Sequence, residues 1–127
     1  MKLTAINSPS APAAAGGYSQ AVEVSGSSRL LFISGQIPEN RSGDIPKDFE
    51  RQAQLAWSNI CAQLEEAQMS VTNLIKVTTF LSSREHAIEN RAIRQTVLGG
   101  HAPALTVIIT DIFDEKWLIE IEAIAAA

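Results

Sequence analysis

The spacing of hydrophobic residues predicts two amphipathic helices. Across residues 47–68, apolar side chains recur every three or four positions and charged side chains fall between them. A second segment runs from about Arg84 to Leu98, where Ser82 and Glu85 match a capping box and Gly99 begins a stop signal. Two such helices are expected to cover one face of a β-sheet.

The remaining patterned segments predict strands. Residues 20–24 and 29–34 flank a short turn and suggest a hairpin, and residues 73–81, 105–110 and 117–125 are rich in β-branched residues. Residues 3–6 add a short edge strand. The order β-β-β-α-β-α-β-β predicts an α+β fold in a single domain spanning residues 1–127, with one mixed sheet and both helices on one face of it.

The sheet has a second face that two helices cannot cover. In residues 73–81, Leu74 and Phe80 are predicted to oppose Val77 and Leu81, so both faces of this strand are apolar. Residues 105–110 show the same property, and strands apolar on both faces are usually buried on both. We therefore expect a homo-oligomer whose subunits pack through their sheets.

Composition narrows the range of partners. The 127 residues are 46% hydrophobic and 19% charged, with a net charge of −4 and one cysteine. The acidic balance argues against nucleic acid, and no apolar run is long enough to span a membrane. These features predict a soluble cytoplasmic protein that needs no metal.

The last predicted strand carries candidate chemistry. Glu120 and Glu122 share one of its faces, where they are either solvated or partly buried against another subunit. A partly buried carboxylate has a raised pKa and can act as a general acid or base. Ser34 and Gly35 follow another strand, where a glycine permits close approach of a ligand and the serine offers a hydrogen bond.

Several segments together resemble the Rid family, which is also called the YjgF or endoribonuclease L-PSP family. The similarity extends over nearly the whole chain, with the motifs in the family's order. The segments that carry it are GYSQAV at 17–22, FISGQIP at 32–38, KVTTFL at 76–81, Pro103-Ala104, and IEIEAIA at 119–125.

The resemblance implies a chorismate-mutase-like fold assembled as a homotrimer, with small-molecule clefts between subunits. It also implies cofactor-free hydrolysis of reactive enamines or imines to a carbonyl product and ammonia. Glu120 would hold the attacking water. Substrate would be bound by Tyr18, Ser34, Gly35, Asn90, the residue at position 105 and the backbone carbonyl of Val107.

The sequence departs from the family motif Pro-Ala-Arg, in which the arginine binds the substrate carboxylate, because Leu105 stands at the arginine position. The substrate is therefore expected to differ from the usual imino acids, unless Arg91 or Arg94 supplies the cation. Helix arginines are ordinarily solvated, which makes such a replacement the less expected outcome. A non-catalytic binding or regulatory module using the same cleft is the alternative function, and a ribonuclease fits the acidic charge least.

Overall fold

The computed structural model describes residues 1–127, with six strands, two α-helices and two single-turn 3-10 helices at residues 71–73 and 84–86. The strands and helices, in chain order, are β1 (Lys2–Ile6), β2 (Ala21–Ser25), β3 (Leu30–Gln36), α1 (Phe49–Glu66), β4 (Leu74–Leu81), α2 (Ala87–Leu98), β5 (Ala104–Ile109) and β6 (Ile119–Ala126). The predicted order of elements is confirmed, and the fold is α+β.

The strands form two sheets, whereas the sequence predicted one. β1 and β2 pair antiparallel, and the other four strands form a sheet in the order β3-β6-β4-β5. Only β4 and β5 are parallel, and α2 connects them. An isolated bridge between Ser19 and Ala104 joins the chain just before β2 to the outer edge of β5.

The predicted hairpin between the second and third strands is wrong. β2 pairs with β1, and the chain turns at Gly26, which has a positive φ of 69°. Ser28 and Arg29 then donate their backbone N–H groups to the carbonyl of Ala127. These bonds align β3 with β6, which is an interior strand of the sheet. Pairing with β6 satisfies more backbone groups of β3 than a short hairpin with β2 would.

The helix ends differ in detail from the predicted ones. The Asp48 side chain accepts a hydrogen bond from the N–H of Arg51 and caps α1. Ser83, not Ser82, caps the 3-10 turn at residues 84–86, since the Ser83 hydroxyl accepts from the N–H of Glu85, and α2 follows this turn directly. Ser82 instead donates its N–H to the carbonyl of Leu118, which fixes the start of β6.

Both helices lie on one face of the four-stranded sheet, as predicted. α1 packs on β3 and β6, and α2 packs against α1. The buried core between these layers contains Trp57, Ile60 and Leu64 of α1, with Ile119 and Ile121 of β6. This arrangement leaves the other face of the sheet without any covering element.

The open face of the sheet is mixed in character. A register shift after Leu74 places that side chain in the core together with Val77 and Leu81, so the predicted facing of Leu74 is wrong. Polar groups also lie on this face, where the Lys76 ammonium donates to the Thr106 hydroxyl. The large apolar side chains exposed there are Leu30, Phe32 and Ile108.

Candidate functional site

Glu120 lies on the open face of the sheet, near the start of the central strand β6. It stands opposite Phe80 of β4, while its neighbours Ile119 and Ile121 are buried on the helix side. Burial raises the pKa of the partly buried Glu120 carboxyl, and the nearby Glu122 carboxylate raises it further. A carboxyl group in this state can exchange protons with a substrate or a water molecule.

The neighbouring strand β3 bulges where it passes Glu120. Its register with β6 shifts between Ile33 and Gln36, which leaves Ser34 and Gly35 outside the regular pairing. A Cβ atom at Gly35 would overlap the Glu120 carboxylate and lie 2.8 Å from its Cδ. Gly35 thus makes room for the Glu120 side chain. From the sequence, this glycine was expected to permit close approach of a ligand.

Glu120 also contributes to the lining of a small pocket. Its volume is about 220 Å³, and it lies between the sheet and the loop that connects β5 to β6. The loop contributes Phe113, whose side chain is 96% exposed. The lining residues are Phe80, Thr110, Asp111, Ile112, Phe113 and Glu120.

Tyr18 lies near the other edge of the four-stranded sheet and is partly buried. The next residue, Ser19, donates its N–H to the carbonyl of Pro103 at 3.0 Å and its hydroxyl to the carbonyl of Ala102 at 2.6 Å. Ser19 also bridges to Ala104. These contacts hold Tyr18 beside the beginning of β5.

Helix α2 places a buried arginine next to this segment. Arg94 is 3% exposed, and its Nη2 atom donates to the carbonyl of Gly16 at 2.6 Å. Burial lowers the pKa of the Arg94 guanidinium and the Arg91 charge lowers it further, whereas Tyr18 acts in the opposite direction. Arg91 is exposed as expected for a helix arginine, but Arg94 is not.

The burial of Arg94 was not predicted, although the sequence carries a signal for it. The buried residues of α2 are Asn90, Arg94 and Leu98, which follow one another at intervals of four. Such residues lie on one face of a helix. Arg94 therefore occupies the stripe that the hydrophobic pattern assigns to the interior.

Leu105 and Val107 lie on β5, at the edge of the sheet. Leu105 is partly buried and packs against the hydrophobic core, opposite Val77 of β4. Val107 is 39% exposed. Beyond the bridge at Ala104, the outer side of β5 has no partner strand, so its backbone groups are free to bind another molecule.

Five of the predicted site residues, together with Arg94, form two groups within one chain. The carboxylate half consists of Ser34, Gly35 and Glu120 on the open face of the sheet. The arginine half consists of Tyr18, Asn90 and Arg94 beside α2 and the start of β5. One chain alone does not bring the two halves together.

The structure offers no cluster suited to a metal ion, since nowhere do three or more His, Cys, Asp or Glu side chains converge. Neither α-helix combines the length and the apolar character needed to cross a membrane.

Comparisons with known proteins agree with these observations. The family model described as Endoribonuclease L-PSP matches residues 8–127. The 2-iminobutanoate/2-iminopropanoate deaminase of Escherichia coli K12 is 32% identical over 124 residues, which cover 94% of each chain.

Two solved structures show that the fold is shared over the whole chain. The Rid family protein YyfB from Yersinia pestis superimposes with a TM-score of 0.87 at 27% identity and covers 100% of both chains. Escherichia coli TdcF with bound serine superimposes with a TM-score of 0.73 at 32% identity and covers 98% of both chains. This chain therefore belongs to the endoribonuclease L-PSP family, also known as the Rid or YjgF family.

Proposed function

We propose that this protein hydrolyses a small reactive imine or enamine to a carbonyl compound and ammonia, without a cofactor. The observation that carries the proposal is the Glu120 carboxyl. It is partly buried beside a small pocket, seated over Gly35, and has a raised pKa. The relationship to an imine deaminase supports the same reaction class.

Glu120 would act on water and on the leaving nitrogen in turn. Its carboxylate accepts a proton from water while the oxygen bonds to the carbon of the C=N group, and the resulting carboxylic acid gives this proton to the nitrogen, which yields a carbinolamine. The regenerated carboxylate then accepts the proton of the hydroxyl group as the carbonyl forms. It passes this second proton to the nitrogen, so that the C–N bond breaks and ammonia leaves.

We propose that the complete site lies between subunits of a homotrimer. The carboxylate half and the arginine half lie apart within one chain, so a neighbouring copy must supply the missing half. The open sheet face, with Phe32 71% exposed and Leu30 56% exposed, is the surface that such copies would bury. The serine bound to TdcF supports a ligand of amino-acid size.

The decisive experiment measures release of a 2-oxo acid from 2-iminobutanoate generated in situ. We expect the wild-type protein to accelerate this release and Glu120→Gln to lose at least about a hundredfold in rate, as general acid–base groups do. Glu122→Gln is the matched control, because it removes the same charge two residues away on the same face. Inactivity of Glu122→Gln with a fully active Glu120→Gln would refute the assigned role.

A non-catalytic binding module is the second candidate function. Leu105 favours it, because the side chain that replaces the family's arginine packs against the core and offers no charge to a substrate. A ligand that raises the melting temperature in the complete absence of turnover would support this candidate. Turnover that depends on Glu120 would exclude it.

A further inference from the structure

Arg94 is a buried cation without an anionic partner. Its side chain is 3% exposed, and no Asp or Glu oxygen comes within 4.0 Å of it, since the ion pairs of the chain join Arg51 to Asp48 and His86 to Glu85. Buried charges in proteins are normally paired, because removing an ion from water is costly. An unpaired buried guanidinium therefore indicates that its partner arrives from outside the chain.

The donors of Arg94 are only partly satisfied. Nη2 donates to the carbonyl of Gly16, but Nε is buried and has no acceptor at all. A guanidinium has five N–H donors arranged to match the two oxygens of a carboxylate. The Nε–H group thus lacks an acceptor within this chain and can donate a hydrogen bond to an oxygen atom of another molecule.

A further hydrogen-bond donor lies near Arg94 in the sequence segment that contacts it. Tyr18 follows Gly16, whose carbonyl accepts from Arg94, by two residues, and its phenol offers an O–H group. Ser19 fixes this segment to the first residues of β5, so the backbone edge of β5 lies nearby.

The segment that contacts Arg94 contains two consecutive glycines. Gly16 and Gly17 both have positive φ values, 96° and 78°, and end a stretch composed of alanine, serine, proline and glycine. One hydrogen bond joins this segment to the Arg94 side chain, and its acceptor is the carbonyl oxygen of Gly16. A carboxylate could therefore replace that carbonyl without breaking a strand or uncovering the core.

We propose that Arg94 of α2, together with Tyr18, binds the carboxylate of the substrate in place of a cation at position 105. In the free protein the Gly16 carbonyl accepts a hydrogen bond from the Arg94 guanidinium, and the substrate carboxylate replaces it on binding. This inference rests on the proposed function for the identity of the ligand. It assigns the anion-binding role to a helix instead of the edge strand. The substrate class is consequently a small imino or 2-oxo carboxylate, and not a neutral imine.

The test uses 2-oxobutanoate, the product of the proposed reaction, as a stable carboxylate probe, with 2-butanone as its uncharged analogue. In the wild-type protein, 2-oxobutanoate should shift the Nε–H NMR signal of Arg94, and 2-butanone should not. Calorimetry should show that Arg94→Gln binds 2-oxobutanoate about tenfold to a hundredfold more weakly, the loss expected for a charge-assisted contact. The matched control Arg84→Gln removes an exposed arginine and should bind as the wild type does.

The outcomes separate this inference from the proposed function. Deamination that persists unchanged in Arg94→Gln refutes the inference and leaves the function standing. Binding of 2-oxobutanoate through Arg94 without any turnover supports the inference and refutes the function. If Arg94→Gln does not fold, the wild-type NMR titration decides alone, and an Arg94 signal unmoved at saturating 2-oxobutanoate overturns the inference.

Discussion

Gly35 and Gly100 offer a matched pair for testing whether the Glu120 carboxylate needs a glycine beside it. A Cβ at Gly35 would overlap that carboxylate, whereas a Cβ at Gly100 would meet nothing within 4 Å. We expect Gly35→Ala to displace Glu120 and lower kcat/KM for 2-iminobutanoate about tenfold to a hundredfold, the usual cost of misplacing a catalytic group. Gly100→Ala should keep full activity. Equal activity of the two variants would show that the close approach is dispensable.

The raised pKa of Glu120 predicts a particular pH dependence of the reaction. The carboxylate must be ionised to accept a proton from water, so kcat/KM should fall as the pH drops through the pKa of Glu120. Because that pKa is raised, the fall begins at a higher pH than for an ordinary glutamate. Glu122→Gln removes one of the two causes and should move this acid limb to lower pH. A limb that stays in place would mean that another group controls it.

At the residue scale, the sequence identifies Glu120 more reliably than the cation. The strand alternation places Glu120 on the face opposite Ile119 and Ile121, and the structure shows that facing. Arg94 is harder to recognise, because an arginine on a helix is solvated far more often than buried. Its position four residues after Asn90 and four before Leu98 was the available signal.

At the scale of secondary-structure elements, Gln52 connects helix α1 to the loop before α1 and to the loop before β6. It is 1% exposed on α1, and its Nε2 atom donates to the carbonyls of Pro46 and Lys116 at 2.8 and 2.9 Å. Its Oε1 atom accepts from the N–H of Leu118 at 2.7 Å. The side chain thus ties the loops before α1 and before β6 to the helix.

We expect Gln52→Ala to reduce the free energy of unfolding by about 2–4 kcal/mol, because three buried hydrogen bonds lose their partner. Gln54→Ala, two residues along the same helix on its exposed side, should change it by less than about 0.5 kcal/mol. Urea denaturation of both variants measures the difference. Similar midpoints for the two would show that the loops do not depend on Gln52.

The elements themselves were predictable where hydrophobic periodicity is strong, and their pairing was not. The stripe of α1 and the alternation of β6 each follow from local sequence. The partner of β3 depends on Ala127 at the far end of the chain, which no local pattern encodes. The bulges after Ile33 and Leu74 likewise arise from cross-strand fit, so the facing of Leu74 could not be deduced from spacing alone.

At the scale of the whole molecule, two of the surfaces that expose apolar residues differ in their relation to the candidate site. Leu30, Phe32 and Ile108 lie on the open face of the sheet, whereas Ile88 is 87% exposed on helix α2. The first surface borders the carboxylate half of the site, and the second lies outside both halves. Only the first is expected to be buried when subunits assemble.

The last prediction uses this difference to test the homotrimer. Sedimentation equilibrium of the wild-type protein should give about three times the 13.7 kDa mass of one chain. Phe32→Glu places a charge on the surface to be buried, so the desolvation cost should dissociate the trimer to monomers at micromolar concentration. Because we propose that each cleft takes residues from two chains, the monomer should also lose deaminase activity. Ile88→Glu adds the same charge to α2 and should remain trimeric and active, whereas a Phe32→Glu monomer that keeps full activity would mean that one chain holds the whole site.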